Sequence, residues 1–372
     1  MKFIYLTSKK YPGKTADHNF VKNMAKSFFA KLGSDFLFVV AKDEEKIKEA
    51  GVFNLDLKIR RGRSFFYFFW IPFFVFKNRK EKIIFFSNDS NLLLILIFWK
   101  KAGRLNYLIC SDWHQMFLNW KDKRIARGSD YLITTSERLK KIIMRRTGVS
   151  KKNILLARGG VDLDRFIKIS RQFSKDEIRK ELNLPREKKI IGYIGGFKTM
   201  GMGKGIKTMI EALIFLEEKY RMMFVGGKEE EIREYKKFAE EKGVREKCIF
   251  VSWQNKEENL IKFEQATDVL VIPYPNEEHF REWGFPMKVY EYMASGRPII
   301  YSNLEIIEEV LGENALKFKP GEESDLVKKI YFLEKNEKKG EEMAEENKKI
   351  VCGFTWKRRA ENILEFIGVN FK

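Results

Sequence analysis

The stretch from residue 189 to residue 227 decides the fold. It begins with KIIGYIG at 189–195, continues through a glycine-rich loop and the helical pattern KTMIEALIFLEEKY at 207–220, and ends with RMMFVGG at 221–227. The first and last segments are short apolar runs that end in glycine, which is typical of buried strands. A strand, a helix and a second buried strand in this order predict a parallel βαβ unit.

The same alternation extends along the chain in both directions. The other apolar runs are KFIYLT (2–7), DFLFVV (35–40), KIIFFS (82–87), NYLIC (106–110), YLITT (131–135), CIFVSW (248–253), VLVIPY (269–274) and PIIYS (298–302). Amphipathic helical patterns separate them. We therefore predict an α/β protein with two doubly wound, Rossmann-like domains, each a parallel sheet covered by helices.

The domain boundary is expected in the polar segment 167–187. The predicted domains are residues 1–170 at the N-terminus and residues 171–355 at the C-terminus, and a last helix within 356–372 is expected to pack back on the N-terminal domain. Two such domains would face each other across a cleft lined by the carboxyl ends of both sheets. Ligands of these folds bind at such edges.

Composition limits the class of protein. The chain has 372 residues, 44% hydrophobic and 33% charged, which is enough for two globular domains. It has neither the ~18 to 20 uninterrupted apolar residues of a membrane-spanning helix nor a signal-peptide pattern. Cys110, Cys248 and Cys352 are odd in number and far apart, which signals neither a disulfide framework nor a zinc site. We expect a cytoplasmic protein with reduced cysteines in its core.

Charge is distributed unevenly. The net charge is +20, and a count along the chain gives all of it to residues 1–170 and none to residues 171–372. The first half is therefore expected to meet an anionic partner, which could be nucleic acid, a membrane surface or a phosphorylated substrate. A lysine-rich, merely solvated surface is the alternative, although it leaves the neutral second half unexplained.

Two segments of the second half could carry chemistry. The loop GYIGGFKTMGMGKGIK (192–207) follows a strand and precedes a helix, so its backbone N–H groups and Lys204 could bind phosphate. It matches neither a P-loop nor a strict GxGxxG, and a flexible turn is the alternative. In REWGFPMKVYEYMASGRPII (281–300), Glu291 lies in an otherwise apolar helix. Its carboxylate could accept hydrogen bonds from a ribose diol, or be a solvated surface group.

With these segments in this order, the chain resembles the retaining glycosyltransferases of family 4, which have the GT-B fold. The resemblance runs nearly end to end and rests on GYIGGF…GKGIKTMIEAL, FVGG, ATDVLVIPY, GFPMKVYEYMASGRPII, GSDYLITTSERLKKII and ARGGVDLDRF. It implies a nucleotide-sugar donor on the C-terminal domain and an acceptor on the N-terminal domain. In many members the acceptor is a lipid or a lipid-linked sugar.

The resemblance also implies roles for individual residues. Glu291 would hold the donor ribose, Lys204 would neutralise the diphosphate, and His114, after the fourth strand, would be an acceptor-side histidine; these three are the expected catalytic residues. The full set expected around the donor is Gly13, Gly195, Gly196, Lys198, Lys204, Gly205, Trp253, Gln254, Glu282, Trp283, Gly284, Phe285, Pro286, Lys288 and Glu291.

Within this set, Gly13 would approach the diphosphate from the N-terminal domain, and Trp253 with Gln254 would enclose the base. The backbone of residues 284–286 would face the donor sugar and phosphate, with Lys288 in support.

Two positions depart from the family pattern. The carboxylate that the family usually has eight residues before Glu291 falls on Trp283, with Glu282 one position away. The arginine that often follows the first glycine of the phosphate turn is Gly196 here. Lys198 could replace its charge, although a lysine makes a point contact where arginine binds in bidentate fashion.

The resemblance implies that the anomeric configuration is retained through front-face attack, with the leaving phosphate helping to deprotonate the acceptor. Such a leaving group needs preorganised cations, and Lys204 with Lys198 can supply them without a metal. Asp162-Leu163-Asp164 fits the Asp-x-Asp string of metal-dependent transferases but lies in the interdomain segment. We expect no metal site and no cofactor, only a UDP- or GDP-sugar as co-substrate.

Residues 65–76 are twelve consecutive apolar residues, seven of them Phe, between two basic clusters. They are too few to span a bilayer, and Pro72 would bend a helix there. They fit an interfacial element on an anionic membrane surface. The expected contacts are Arg60, Arg61, Arg63, Phe65, Phe66, Phe69, Trp70, Lys77, Arg79 and Lys80. A buried helix is the alternative, and for the second apolar segment, 91–104, we expect a core position.

The predicted function is sugar transfer to a lipid-linked or envelope glycan acceptor by an enzyme that is peripheral on the inner face of the cell membrane. The alternatives are the same chemistry on a soluble acceptor, a catalytically inactive scaffold, which Trp283 and Gly196 suggest, and a basic nucleic-acid-binding protein. The last is disfavoured because the basic residues flank apolar runs and no RNA- or DNA-binding motif is present, so no nucleic-acid partner is expected.

Overall fold

The computed structural model describes residues 1–11, 16–43, 52–55, 63–116, 118–284 and 287–370. Within these ranges the chain divides into two compact units. The first comprises Met1–Gly159 and Trp356–Lys372, and the second comprises Gly160–Thr355. Each unit is built around a parallel sheet with helices, so the prediction of two doubly wound α/β units is confirmed.

The described part of the first unit alternates strands and helices. Its elements are β1 (Lys2–Tyr11), α1 (Ala16–Leu32), β2 (Phe36–Asp43), β3 (Val52–Asn54), α2 (Arg63–Lys77), β4 (Ile83–Ser87), α3 (Ser90–Lys101), β5 (Leu108–Trp113), α4 (Trp120–Gly128), β6 (Tyr131–Thr134), α5 (Glu137–Thr147) and β7 (Ile154–Leu156).

The second unit repeats the alternation. Its elements are α6 (Leu163–Gln172), α7 (Lys175–Glu181), β8 (Lys189–Ile194), β9 (Lys198–Thr199), β10 (Met202–Gly203), α8 (Ile206–Ala212), β11 (Tyr220–Gly227), α9 (Glu229–Glu241), β12 (Cys248–Ser252), α10 (Glu257–Ala266), β13 (Val269–Ile272), α11 (Glu278–Glu282), α12 (Lys288–Ser295), β14 (Ile299–Ser302), α13 (Glu305–Leu311), β15 (Leu316–Phe318), α14 (Glu323–Lys335) and α15 (Glu337–Val351). Helix α16 (Trp356–Phe366) follows.

The unit boundary lies between Gly159 and Gly160, whereas we expected it after residue 170. Residue 170 falls inside α6, and α6 packs against α10 and α12 of the second unit. Helix α16 belongs to the first unit and packs against α1, where Lys31 and Glu361 form an ion pair at 2.5 Å. The chain therefore leaves the first unit at Gly159 and returns to it at Trp356.

The order of the strands determines where a ligand site is expected. In the first unit it is β3-β2-β1-β4-β5-β6-β7, and in the second β12-β11-β8-β13-β14-β15, with every neighbouring pair parallel. The strand order reverses beside β1 in the first sheet and beside β8 in the second. Doubly wound sheets bind ligands at the carboxyl ends of the strands at such a reversal.

Helix α2 contains Pro72 and is nevertheless continuous over fifteen residues. Proline has no N–H for the carbonyl four residues earlier, which here is the carbonyl of Phe68. The indole N–H of Trp99 in α3 donates to that carbonyl at 2.8 Å. A side chain of the neighbouring helix thus supplies the hydrogen bond that Pro72 cannot make.

The position of α3 agrees with the expected core location of segment 91–104. Leu92, Leu93, Leu96 and Ile97 are buried, whereas Phe98 is exposed. Helix α2, at about 22 Å, is too short for a membrane span, and none of the helices in the described ranges is long and apolar enough for one. Cys110 and Cys248 are buried but Cys352 is exposed, so the expected core location is wrong for Cys352.

The substitution Trp99→Phe should lower the free energy of unfolding of the first unit by about 1 to 2 kcal/mol, because it leaves the Phe68 carbonyl without its donor. The substitution Pro72→Ala restores a backbone N–H to the same carbonyl. The cost of Trp99→Phe should therefore be smaller in a Pro72→Ala background. Urea titrations of the four proteins, followed by circular dichroism, measure this coupling, and strictly additive effects would contradict it.

Candidate functional site

The candidate site begins where β8 ends, beside the reversal of the second sheet. Gly195 follows β8 with φ +137°, and a Cβ built there would lie 1.6 Å from Nζ of Lys288. A Cβ on Gly226, at the end of β11, would lie 2.8 Å from the carbonyl carbon of Gly195. The ends of β8 and β11 and the side chain of Lys288 therefore pack so closely that residues 195 and 226 have no room for a side chain.

Lys288 is the first residue of α12, and its ammonium donates a hydrogen bond to the Ile194 carbonyl oxygen. Tyr292, one turn further along α12, accepts a hydrogen bond of 2.8 Å from the Ile194 N–H. Both polar backbone groups of the last residue of β8 are thus engaged by α12. The helix that carries Glu291 is held against the central strand in this way.

Lys204 lies in the loop after β10, and its backbone N–H donates to the Phe197 carbonyl at 3.0 Å. Gly205 has φ +79°, and a Cβ there would lie 1.7 Å from the carbonyl oxygen of Pro273, just after β13. Burial, reinforced by the positive charge of Lys288 and opposed by Glu231, lowers the pKa of Lys204 to about 8. Lys204 is thus, after Lys288, the second amine at this site whose pKa is lowered.

Two carboxylates act on Lys288. Burial lowers the pKa of Lys288, although Glu291 and Glu264 oppose that shift. Glu264, in α10, is 2% exposed, and burial together with Glu291 raises the pKa of Glu264 well above its usual range. Glu291 was predicted, whereas Glu264 was missed because nothing in its sequence context distinguishes it from other helical glutamates.

His279, in α11, is a second residue that the sequence did not reveal. Burial, and then the charge of Lys204, lower the pKa of His279. Its carbonyl accepts a hydrogen bond of 2.6 Å from the Gly284 N–H, and a Cβ on Gly284 would lie 2.7 Å from its ring. The glycine that we expected to face the donor therefore also makes room for an imidazole near Lys204.

The remaining predicted residues of the second unit have distinct surroundings. Trp253 is 45% exposed and follows β12, and one of its ring atoms lies 4.0 Å from the place where Gly196 would carry a Cβ. Gln254, beside it, donates to the Ser252 carbonyl at 3.0 Å. The Lys198 amine pairs with Glu234 at 2.6 Å.

At the two departures from the family pattern, Trp283 is 7% exposed and Glu282 pairs with Arg281 at 3.0 Å. Gly13, Phe285 and Pro286 lie outside the described residues. Asp162 forms an ion pair with Arg165 at 2.9 Å. Within the described ranges, no group of three His, Cys, Asp or Glu side chains is arranged to hold a metal ion.

His114 lies in the first unit, immediately after β5. Its ring packs edge-on against Phe20 of α1, with 4.2 Å between the centroids. Its Nε2 lies 3.2 Å from Oδ2 of Asp112, and 27% of the side chain is exposed. The histidine therefore combines a fixed ring with an accessible edge.

Helix α2 presents an aromatic face to the surroundings. Tyr67, Ile71 and Val75 are buried, and the Tyr67 hydroxyl donates to the Thr7 carbonyl at 2.7 Å. The exposed side chains are Phe65, Phe66, Phe69, Phe73 and Phe76, each between 49% and 68% exposed. At 100° per residue these five positions span an arc of about 100°. We name them the phenylalanine face.

The predicted membrane contacts relate to this face in different ways. Phe65, Phe66 and Phe69 belong to it, and Trp70 is half-buried and lines an apolar groove with Phe66, Phe69 and Phe73. Phe73 and Phe76 were not predicted. Lys77, Arg79 and Lys80 are exposed beyond the end of the face, and Arg63 is half-buried at its start. Arg60 and Arg61 lie outside the described residues.

The two Rossmann-like units have the topology of the GT-B class of fold. The sequence profile described as "Glycosyl transferases group 1" matches residues 174–350 of the chain. Among solved structures, Alr3699/HepE from Anabaena in complex with UDP has a TM-score of 0.70 and 15% identity, with 99% of this chain and 100% of that chain covered.

Two curated proteins are similar to half of the chain. One is the N,N'-diacetylbacillosaminyl-diphospho-undecaprenol alpha-1,3-N-acetylgalactosaminyltransferase of Campylobacter jejuni, 25% identical over 207 residues, with 52% of this chain and 49% of that protein covered. The other is the putative teichuronic acid biosynthesis glycosyltransferase TuaC of Bacillus subtilis, 24% identical over 192 residues, with 52% and 43% covered. The chain thus matches less than half the length of each relative.

Replacing Gly205 by alanine should destabilise the second unit far more than replacing Gly243. Both residues have a left-handed backbone, with φ +79° and +71°, so both substitutions carry a similar backbone cost of about 1 to 2 kcal/mol. Only the new methyl at residue 205 would meet a rigid neighbour, the Pro273 carbonyl, while the space around residue 243 is open. Thermal unfolding of Gly205→Ala and Gly243→Ala tests this, and equal losses in Tm would contradict the close contact.

Proposed function

We propose that the chain is a retaining glycosyltransferase that uses a nucleoside-diphosphate sugar and glycosylates a lipid-linked or envelope glycan acceptor at the membrane. The observation that carries the proposal is the pair of amines, Lys204 and Lys288, held at the end of β8 beside Glu291. The UDP bound to HepE and the diphospho-undecaprenol in the name of the Campylobacter protein support the two substrate classes.

The residues suit a diphosphate leaving group. The charge of Lys288 lowers the pKa of Lys204, and a bound dianion would relieve this repulsion. Lys198 would add a third cation after exchanging its partner Glu234 for phosphate. Glu291 would accept hydrogen bonds from the ribose diol. We propose that these side chains stabilise the leaving group without a metal ion.

In the transfer step, the bond between the anomeric carbon and the phosphate oxygen breaks, and the acceptor hydroxyl oxygen bonds to the same face of that carbon. The hydroxyl proton passes to the departing phosphate, so charge and protons balance. His114 would contact a sugar hydroxyl during this step. Trp283, buried where the family usually has a carboxylate, would leave the donor-sugar contact to Glu282 or to the backbone of the 284–286 segment.

The donor site is tested by thermal unfolding with UDP-, GDP- and ADP-sugars. One nucleotide class should raise the Tm of the wild type, because a ligand that binds only the folded state stabilises it. The rise should vanish in Glu291→Ala and persist in Glu246→Ala, the same change at an exposed residue near the amino end of β12. No shift with any nucleotide sugar would contradict the proposal and favour the inactive scaffold.

The pH dependence gives a second arm to this experiment. The pKa of Lys204 is about 8, so the amine is charged at pH 7 and mostly neutral at pH 9. The stabilisation by the nucleotide sugar should therefore decrease from pH 7 to pH 9 in the wild type, by up to roughly tenfold in affinity. In Lys204→Arg the cation persists, and the decrease should be much smaller.

The membrane side of the proposal rests on the phenylalanine face. Five exposed phenylalanines on one helix, bordered by Lys77, Arg79 and Lys80, match the headgroup region of an anionic bilayer in both apolarity and charge. The Arg79 guanidinium lies over the Phe76 ring at 5.0 Å, which joins the two parts of the surface. We propose that the enzyme is peripheral on the inner face of the cell membrane, and a soluble acceptor is the alternative.

Vesicle co-sedimentation tests this surface. The wild type should pellet with vesicles of phosphatidylcholine that contain about one third anionic lipid, at about 0.15 M salt. Phe69→Ser with Phe73→Ser should weaken binding by roughly tenfold or more. The matched control is Phe215→Ser with Phe332→Ser, two exposed phenylalanines of the second unit, which should bind as the wild type does. Failure of the wild type to pellet, or equal losses in both variants, would favour the soluble acceptor.

A further inference from the structure

A buried carboxylate lies next to His114. Asp112, near the end of β5, is 4% exposed, and its Oδ1 accepts a hydrogen bond of 2.7 Å from Nη2 of Arg359. Arg359, on α16, is 2% exposed, and its Nε also donates to the Ala157 carbonyl at 3.2 Å. The guanidinium is therefore held by two acceptors of the first unit, and it compensates a charge that could not otherwise be buried there.

The second oxygen of Asp112 is directed at the histidine. Oδ2 lies 3.2 Å from Nε2 of His114, and neither atom has a hydrogen-bond partner elsewhere in the described residues. The two atoms are within hydrogen-bond distance, although the contact does not meet the geometry of a formed hydrogen bond. Hydrogen bonds of this kind are often misaligned before substrate binds.

The groups around this oxygen favour a charged carboxylate. Burial alone would raise the pKa of Asp112, but Arg359 and His114 outweigh it and the pKa is lowered. The pKa of the Tyr5 hydroxyl, from β1, is raised by burial and then by Asp112, so it stays a neutral phenol. The pKa of the Cys110 thiol, on β5, is raised for the same two reasons. Asp112 is thus the anion of the cluster, and Arg359 is its permanent cation.

The geometry points to Asp112 and Arg359 as positioning residues for His114: Arg359 fixes the carboxylate, and the carboxylate holds the imidazole with its proton on Nε2 and a free acceptor on Nδ1. The unprotonated Nδ1 can then accept a hydrogen bond from a sugar hydroxyl. The role of His114 in sugar transfer rests on the proposed function. The position of the proton on its imidazole ring can be tested independently of that function.

The substitution Asp112→Asn distinguishes this role from a merely structural ion pair. Arg359 can only donate, so the amide oxygen of an asparagine must face it. The amide NH₂ would then face His114 and donate to Nε2, which forces the imidazole proton onto Nδ1. A neutral side chain of nearly equal shape should therefore reverse the tautomer, whereas a structural ion pair would leave it unchanged.

Two-bond ¹H–¹⁵N correlation spectra of the ¹⁵N-histidine-labelled chain measure the tautomer. The chain has three histidines, so loss of one set of signals in His114→Gln assigns His114, and His18 and His279 are internal references. At about pH 8, above the usual histidine pKa, we expect Nε2–H in the wild type and Nδ1–H in Asp112→Asn. The control Asp176→Asn, at an exposed aspartate of α7, should keep the wild-type pattern.

Nδ1–H in the wild type, or an unchanged tautomer in folded Asp112→Asn, would overturn the inference. If Asp112→Asn does not fold, Arg359→Lys is used instead. A lysine lacks the planar guanidinium that fixes the Asp112 carboxylate, so His114 should show a mixture of tautomers. An unchanged spectrum would count against the inference. In turnover assays Asp112→Asn should lower kcat by roughly tenfold or more. Its stabilisation by nucleotide sugar should not change, since Asp112 is not one of the expected donor residues, all of which except Gly13 lie in the other unit.

Discussion

The second unit depends on a contact that only glycine permits. A side chain on Gly195 would occupy the space of the Lys288 ammonium, and one on Gly226 would meet the Gly195 backbone. Because both positions are bare, Lys288 and Tyr292 can engage the carbonyl and the N–H of Ile194. Helix α12 is thereby attached to the central strand of the sheet, and Glu291 takes its position from secondary structure rather than from a loop. Sites built on such rigid elements hold their geometry better than sites built on loops.

The same packing gathers charges that disfavour one another. Lys204 and Lys288 are cations of lowered pKa, and Glu264 is a buried acid whose pKa is raised. Proteins tolerate such arrangements at functional sites, where a ligand of opposite charge offsets the cost. The first unit shows the opposite solution, since Asp112 and Arg359 compensate each other without any ligand. The charged groups with unfavourable pKa shifts therefore lie in the unit with the proposed donor site. The Asp112–Arg359 ion pair lies in the first unit, beside His114.

Much of the architecture could be predicted because buried parallel strands are continuous apolar runs, and all ten predicted strands are present. The strands that were missed, β3, β7, β9, β10 and β15, have two or three residues and no distinctive pattern. Of the site, Lys288 and the glycines follow from the motif, whereas Glu264 and His279 reach it from α10 and α11 through tertiary packing alone. For α2 the composition indicated a surface role, but Phe73 and Phe76 could not be chosen before the phase of the helix was known.

The return of α16 to the first unit has a consequence for the order in which the molecule can be made. Arg359 is 247 residues away from Asp112 along the chain, with the second unit between them. The ribosome therefore synthesises β5, which carries Asp112, long before it synthesises Arg359, whose guanidinium pairs with the Asp112 carboxylate. Until α16 is synthesised, Asp112 lacks the guanidinium of Arg359, and a sheet that buries this carboxylate is less stable without it. The first unit can therefore close around Asp112 only after the second unit has been synthesised.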